Sequence, residues 1–293
     1  MSAVNDTRVI DLHTHTTASD GSFTPTELVN RAAEVGLAAL GVTDHDTIAG
    51  LSEAAHAAAG AGIELVPGVE LSVEDDVGRF HLLGYLFDPA DPELAQTLTD
   101  IRRSRAERNV RMGELLSKLN LPVTLDDVFA EAGPDAQVVA RPHFAQALMK
   151  KGVVGSVKEA FDRYLANGKP LYLPKQVLTP HDAIARLHAA GGVAVVAHPG
   201  LIPQNDEALA ARVEKLTVES GLDGIEAYYS QHSPAQTERF LALAARYNLA
   251  VSGGSDFHGT PKPHVSLGGV IDGSPAPWSL LGALKARRPA VGS

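Results

Sequence analysis

The chain has 293 residues, 44% of them hydrophobic and 20% charged, with a formal charge of −10 and no cysteine. That balance predicts a folded protein with a sizeable core and excludes a disordered one, and the negative charge excludes a protein built to coat long duplex nucleic acid. No apolar run is long enough to span a membrane, no leader is visible and no thiol needs an oxidising compartment, so the cytoplasm is expected and any metal must be held by nitrogen and oxygen.

In chain order, residues 8–15 read as an apolar strand that delivers His13 and His15 where it stops, both on one face by the period of two. A polar loop carrying Asp20 follows. Thr24-Pro25-Thr26-Glu27 then fits an N-cap, a proline at the first helical position and a capping-box glutamate. Residues 37–42 read as a buried strand ending in Thr43-Asp44-His45, residues 49–61 as an alanine-rich helix, and residues 63–71 as a third strand ending near Glu70. Residues 79–85 form a further extended segment containing His81. Strands alternating with helices over short links predict a parallel sheet with right-handed crossovers.

From about residue 93 to 172 the texture becomes helical, with a long charged helix over 101–119 and shorter ones over 126–132, 143–150 and 157–165. This reads as a helical insertion over the mouth of a main domain formed by 1–92 and 173–293. The alternation resumes with a helix from Thr179-Pro180 and a strand over 193–197 that runs into His198. Further strands are expected over 224–228, over 249–254 leading to Asp256 and His258, and over 267–270, with a last helix over 277–287.

Ligands in parallel α/β folds bind where the strands end. His13, His15, Asp20, His45, Glu70, His81, His198, Asp256 and His258 all fall at strand ends or in the loops after them. Taken singly, His81 reads as a core histidine and Asp20 as a turn residue. Together, six imidazoles and three carboxylates suit two or three divalent ions with a bridging carboxylate. His56, His181, His188 and His264 are assigned to the surface.

In order, His13-Thr14-His15, Thr43-Asp44-His45, Glu70, His81, Ala197-His198-Pro199 and Ser255-Asp256-Phe257-His258 resemble the motifs of the PHP (polymerase and histidinol phosphatase) metal-dependent phosphoesterases. The match spans the chain and is nearest to the members that hydrolyse 3′,5′-nucleoside bisphosphates or trim RNA from its 5′ end. The resemblance implies an α/β fold, a distorted (β/α)7 TIM-like barrel with a helical insertion, and a site for up to three divalent ions. Manganese is expected first, with zinc, iron(II) and magnesium as alternatives. It further implies that one ion takes His13, His15, Glu70 and Asp256, a second shares Glu70 and adds His81 and His198, and a third takes Asp20, His45 and His258. Many members have histidine at the position of Asp20, so the third site is harder and more anionic here.

The expected chemistry is attack on phosphorus by a metal-bound hydroxide, with Asp20, His198 and His258 as the catalytic set; no nucleophile elbow, cysteine or Walker loop offers another route. Substrate contacts are expected from Arg102 and Arg105, about 60° apart on the long helix, and from Arg141 and His143, with Lys175 and His232 as weaker choices. The expected partner is a small anionic nucleotide or a short RNA 5′ end. A histidinol-phosphate phosphatase and a non-catalytic metal- or phosphate-binding domain are the remaining alternatives, and oligomeric state is not legible.

Overall fold

The computed structural model describes residues 7–134, 136–174 and 177–289. Strand β1 (Val9–Thr14) is almost wholly buried, and its ladder with β2 (Ala39–Val42) slips between Asp11 and Thr14. That irregularity lets Ile10 and Leu12 join an inner cluster with Val66, Leu83, Tyr85 and Val195 while His13 and His15 reach the mouth of the sheet. Helix α1 (Pro25–Glu34) starts at the expected capping box on Thr24 and Glu27, and α2 (Leu51–Ala61) ends on left-handed Gly62.

The sheet order is β7 (Ala250–Gly254), β6 (Gly224–Tyr229), β5 (Val193–Val196), β4 (Gly78–Tyr85), β3 (Glu64–Asp75), β2, β1 and β8 (Ala276–Pro277), so nearly every strand lies beside its sequence neighbour. Strand β3 (Glu64–Asp75) pairs in parallel with β2. Here the structure corrects the all-parallel expectation: β4 (Gly78–Tyr85) turns back on β3 as an antiparallel hairpin and is antiparallel to β5 (Val193–Val196) as well. The reason is local. Only Asp76 and Val77 separate β3 from β4, too few residues for a crossover. Strands β6 (Gly224–Tyr229) and β7 (Ala250–Gly254) restore parallel pairing.

The barrel closes where Asp256 N–H donates to the His13 carbonyl and His15 N–H donates to the Phe257 carbonyl, each at 2.8–2.9 Å. Gly254 permits this approach, since a Cβ there would lie 2.1 Å from that of His13. No strand forms over 267–270; residues 261–270 are turns and irregular loop, and the edge of β1 takes instead the two-residue β8 (Ala276–Pro277), ahead of α10 (Ser279–Lys285).

Between β4 and β5 the chain is helical. Helix α3 (Pro92–Lys118) begins nine residues before the expected start at 101, because Asp91 caps it and Pro92 opens it. Then come α4 (Leu125–Ala132), α5 (Arg141–Lys150) and α6 (Val157–Ala160), which runs into a π-helical turn over Phe161–Leu165. These helices share their own core of Met112, Leu116, Val128, Phe144, Leu148 and Leu165. The outer layer of the barrel is completed by α7 (Pro180–Ala189), α8 (Asp206–Ser220) and α9 (Pro234–Arg246). Among the described residues no helix is long and apolar enough to cross a membrane.

Candidate metal centre

Four strand ends and one hairpin bring their polar residues to the same mouth. His13 and His15 come from β1, His45 from just after β2, His198 from after β5, and Asp256 and His258 from after β7. Glu70 and His81 arrive differently. They lie inside β3 and β4 rather than at strand ends, and because β4 runs backwards its beginning, not its end, faces the mouth.

Glu70 is the hub. Its Oε1 lies 2.7 Å from His81 Nδ1 and 2.8 Å from His198 Nε2, and its Oε2 lies 2.9 Å from His45 Nδ1 and 3.3 Å from His15 Nε2. Asp20 is 3.3 Å from His258 Nε2 and 3.7 Å from both His15 Nδ1 and His45 Nε2. Asp256 Oδ1 stands 3.4 Å from His15 Nε2 and 3.7 Å from His13 Nε2. The donors fall into four overlapping groups, each with its atoms within 4.8 Å: His15, Asp20, His45, His258; His13, His15, Asp256; His13, Glu70, His198; and His45, Glu70, His81.

Burial alone would push the carboxyls up, but the surrounding imidazoles overcome it. Glu70 is held well below the usual carboxylate range by His45, His81 and His13, and Asp20 by His45 and His258. Asp256 is likewise held down, by His13, His15 and Lys262. Divalent ions fit this cluster: His13 Nε2, both ring nitrogens of His15, Glu70 Oε2 and His198 Nδ1 are buried with no hydrogen-bond partner among the described residues. Hard and borderline cations are what such an all-nitrogen-and-oxygen set selects.

The PHP domain family matches the chain over residues 11–217. The chain belongs to the PHP family. It is 37% identical over 286 residues to a 3′,5′-nucleoside bisphosphate phosphatase of Chromobacterium violaceum, covering 96% of this chain and 99% of that protein. It is also 37% identical over 270 residues to the 5′-3′ exoribonuclease Rnm of Escherichia coli, covering 92% and 91%. A crystal structure of a Bifidobacterium adolescentis protein assigned as a metal-dependent phosphoesterase superposes with a TM-score of 0.84 at 34% identity, over 97% of this chain and 98% of the other.

Around the PHP donor cluster lies a buried frame that the sequence reading did not single out. Asp44 accepts from Thr16 N–H, Thr16 Oγ1 and Ser19 Oγ at 2.6–2.8 Å, fixing the loop that carries Asp20. Asp11 accepts from Ser255 N–H and Gly268 N–H, both at 2.9 Å, and so ties β1 to the segment carrying Asp256. Tyr229 Oη donates to Asp256 at 2.8 Å, with Lys262 Nζ 2.5 Å from the same oxygen.

The expected substrate residues stand at different depths. Arg102 is part-exposed and donates to Thr99 Oγ1 at 3.1 Å. Arg105 is buried and committed to an ion pair with buried Asp46. Arg141 donates to the Leu165 carbonyl at 3.1 Å and lies over the rings of Phe161 and Tyr172. Buried His143 accepts from Ala140 N–H through Nδ1 at 3.1 Å. Both nitrogens of His232 are taken by backbone, Gly200 N–H and the Ala227 carbonyl, so it holds the fold rather than a substrate. Lys175 lies outside the described residues.

Arg108, named in neither substrate set, is 3% exposed, and its guanidinium is brought down to about 9 by burial and by Arg105, Arg141 and Arg79. It keeps its charge at neutral pH, so the protein carries a buried cation among cations.

Proposed function

We propose that this phosphoesterase hydrolyses a phosphomonoester of a small nucleotide, a 3′,5′-nucleoside bisphosphate, to the 5′-monophosphate and phosphate. The observation that supports the reading is a second group of side chains beside the donor cluster, the guanidiniums of Arg105, Arg108 and Arg141 on the helical segment. Arg105 answers Asp46, but among the described residues neither Arg108 nor Arg141 has a carboxylate as a hydrogen-bond or ion-pair partner. A site with uncompensated guanidiniums beside a cationic centre suits a ligand bearing two separated anionic groups. The helical segment 93–172 serves as the substrate cap: Gln137 N–H donates to the Ala18 carbonyl at 3.0 Å, docking it on the loop of Asp20.

In this reading the nine donors hold up to three divalent ions, manganese first, and the enzyme works in the cytoplasm. Bound there, the ions neutralise charge at phosphorus and lower the proton affinity of water. The chain's own part is positional. Asp20, His198 and His258 are the catalytic set, holding the donor geometry on either side of Glu70, and Arg108, Arg141 and His143 orient the non-reacting phosphate, which lowers the entropic part of the barrier. Part-exposed Arg102 offers a rim contact.

The equal identity to an exoribonuclease supports a second reading, in which the same two anion sites hold the 5′ end of a short RNA. Both are tested by phosphate release from adenosine 3′,5′-bisphosphate and shortening of a 5′-phosphorylated RNA, using manganese-loaded protein beside His198→Ala and Arg141→Ala. Release from the bisphosphate, abolished in His198→Ala and weakened in Arg141→Ala with metal content intact, supports the phosphatase. RNA shortening without that release replaces it with the exonuclease.

A further inference from the structure

Glu226 lies inside the barrel on β6, is 0% exposed, and belongs to none of the donor groups. The ladder between β6 and β7 slips between Glu226 and Tyr228. A regular strand would point residues 226 and 229 to opposite faces; the bulge brings both to the cluster, Glu226 to His13 and Tyr229 to Asp256.

Each oxygen of Glu226 has one task. Oε1 lies 3.0 Å from His13 Nδ1, and Oε2 accepts from the backbone N–H of His198 at 2.6 Å. A carboxylate oxygen can only accept, so the proton of the neutral His13 ring sits on Nδ1 and its lone pair is on Nε2. That Nε2 faces Glu70 and Asp256 at 3.5 and 3.7 Å, outside hydrogen-bonding range of both, as a ligand atom would. At its other end the carboxylate satisfies a buried amide whose residue has φ +27°, a conformation that needs support, and whose Nε2 lies 2.8 Å from Glu70.

We propose that Glu226 is the positioning residue of the metal centre, fixing the tautomer of His13 and the backbone of His198 with one side chain so that donors on two strands keep a set separation. The proposal rests on the reading of the cluster as a metal centre. It makes a sharp demand on the isosteric amide. In E226Q the side chain has one accepting end and one donating end, while the site presents two donors. With the amide oxygen toward His13, the NH2 opposes the His198 N–H; flipped, it drives the His13 proton to Nε2 and removes the ligand lone pair.

The test is calorimetric titration of metal-free wild type, E226Q and E226D with Mn²⁺, with thermal melts of the metal-free proteins. E226Q is expected to bind Mn²⁺ at least tenfold more weakly, the scale of such outer partners. E226D, with two acceptors on a shorter stem, is expected to recover part of the affinity. Wild-type stoichiometry and affinity in E226Q, whatever its melting temperature, overturn the proposal. No Mn²⁺ uptake by wild type overturns the metal-centre reading itself. If E226Q does not fold, histidine side-chain ¹H–¹⁵N spectra of zinc-loaded wild type decide: a proton on Nδ1 of His13 supports the role, and a bare Nδ1 refutes it.

Discussion

His143 shows how one side chain can serve both the fold and a pocket. Its Nδ1 lone pair closes the first turn of α5 on Ala140, and burial lowers its pKa below the ordinary 6.5. The unfolded chain therefore takes up the proton first as pH falls, so the stabilisation is whole above about pH 6.5 and is lost progressively below it. His143→Gln keeps an acceptor at the capping-box position without the titration. Thermal melts at pH 7.5 and 5.5 should show a smaller acid-side loss in that variant than in wild type; an equal loss would remove His143 from the account. Residues of this kind are where sequence reading is weakest. Seven of the nine clustered donors sit at a strand end or in the loop after one, where they are legible, while Glu70 and His81 lie inside β3 and β4; Asp11, Asp44 and Glu226 look like ordinary polar residues until the partners they accept from, up to 257 positions away, are in place.

At the scale of elements, capping signals marked α1 and α7, where Thr24 and Thr179 accept from the backbone N–H three residues on; Thr124 and Ser233 cap α4 and α9 in the same way. What was not legible was strand direction. The period of residues 79–85 is the same in either sense, and only the two-residue link to β3 shows that β4 must return. Closure of the barrel is equally invisible in a local window, since it depends on Gly254 allowing β7 against β1. Gly254→Ala would place a methyl group 2.1 Å from His13 Cβ. It should cost about 1–3 kcal/mol, the usual penalty for overpacking, read by urea unfolding. The same shift should loosen the His13 and Asp256 donors, which a fall in Mn²⁺ affinity would report. Unchanged stability would mean that the two strands can separate freely.

For the whole molecule, the cluster concentrates six imidazoles and three carboxylates at one end of the barrel, with several buried atoms lacking partners. Ions that bind only the folded chain should stabilise it by mass action, about 2.7 kcal/mol at a hundredfold excess over Kd. Thermal melts with Mn²⁺ and then with excess chelator should rise and fall reversibly; a melting temperature indifferent to both would count against the centre. The seam that closes the barrel also has a consequence for synthesis. Donors at 13 and 15 meet those at 256 and 258 only after residue 258 has been made, so loop closure over some 240 residues precedes two of the four donor groups, while His45, Glu70 and His81 can meet early. A nascent chain on the ribosome thus holds His13 and His15 without those partners, and the full complement of metal affinity should appear late in folding rather than seed it.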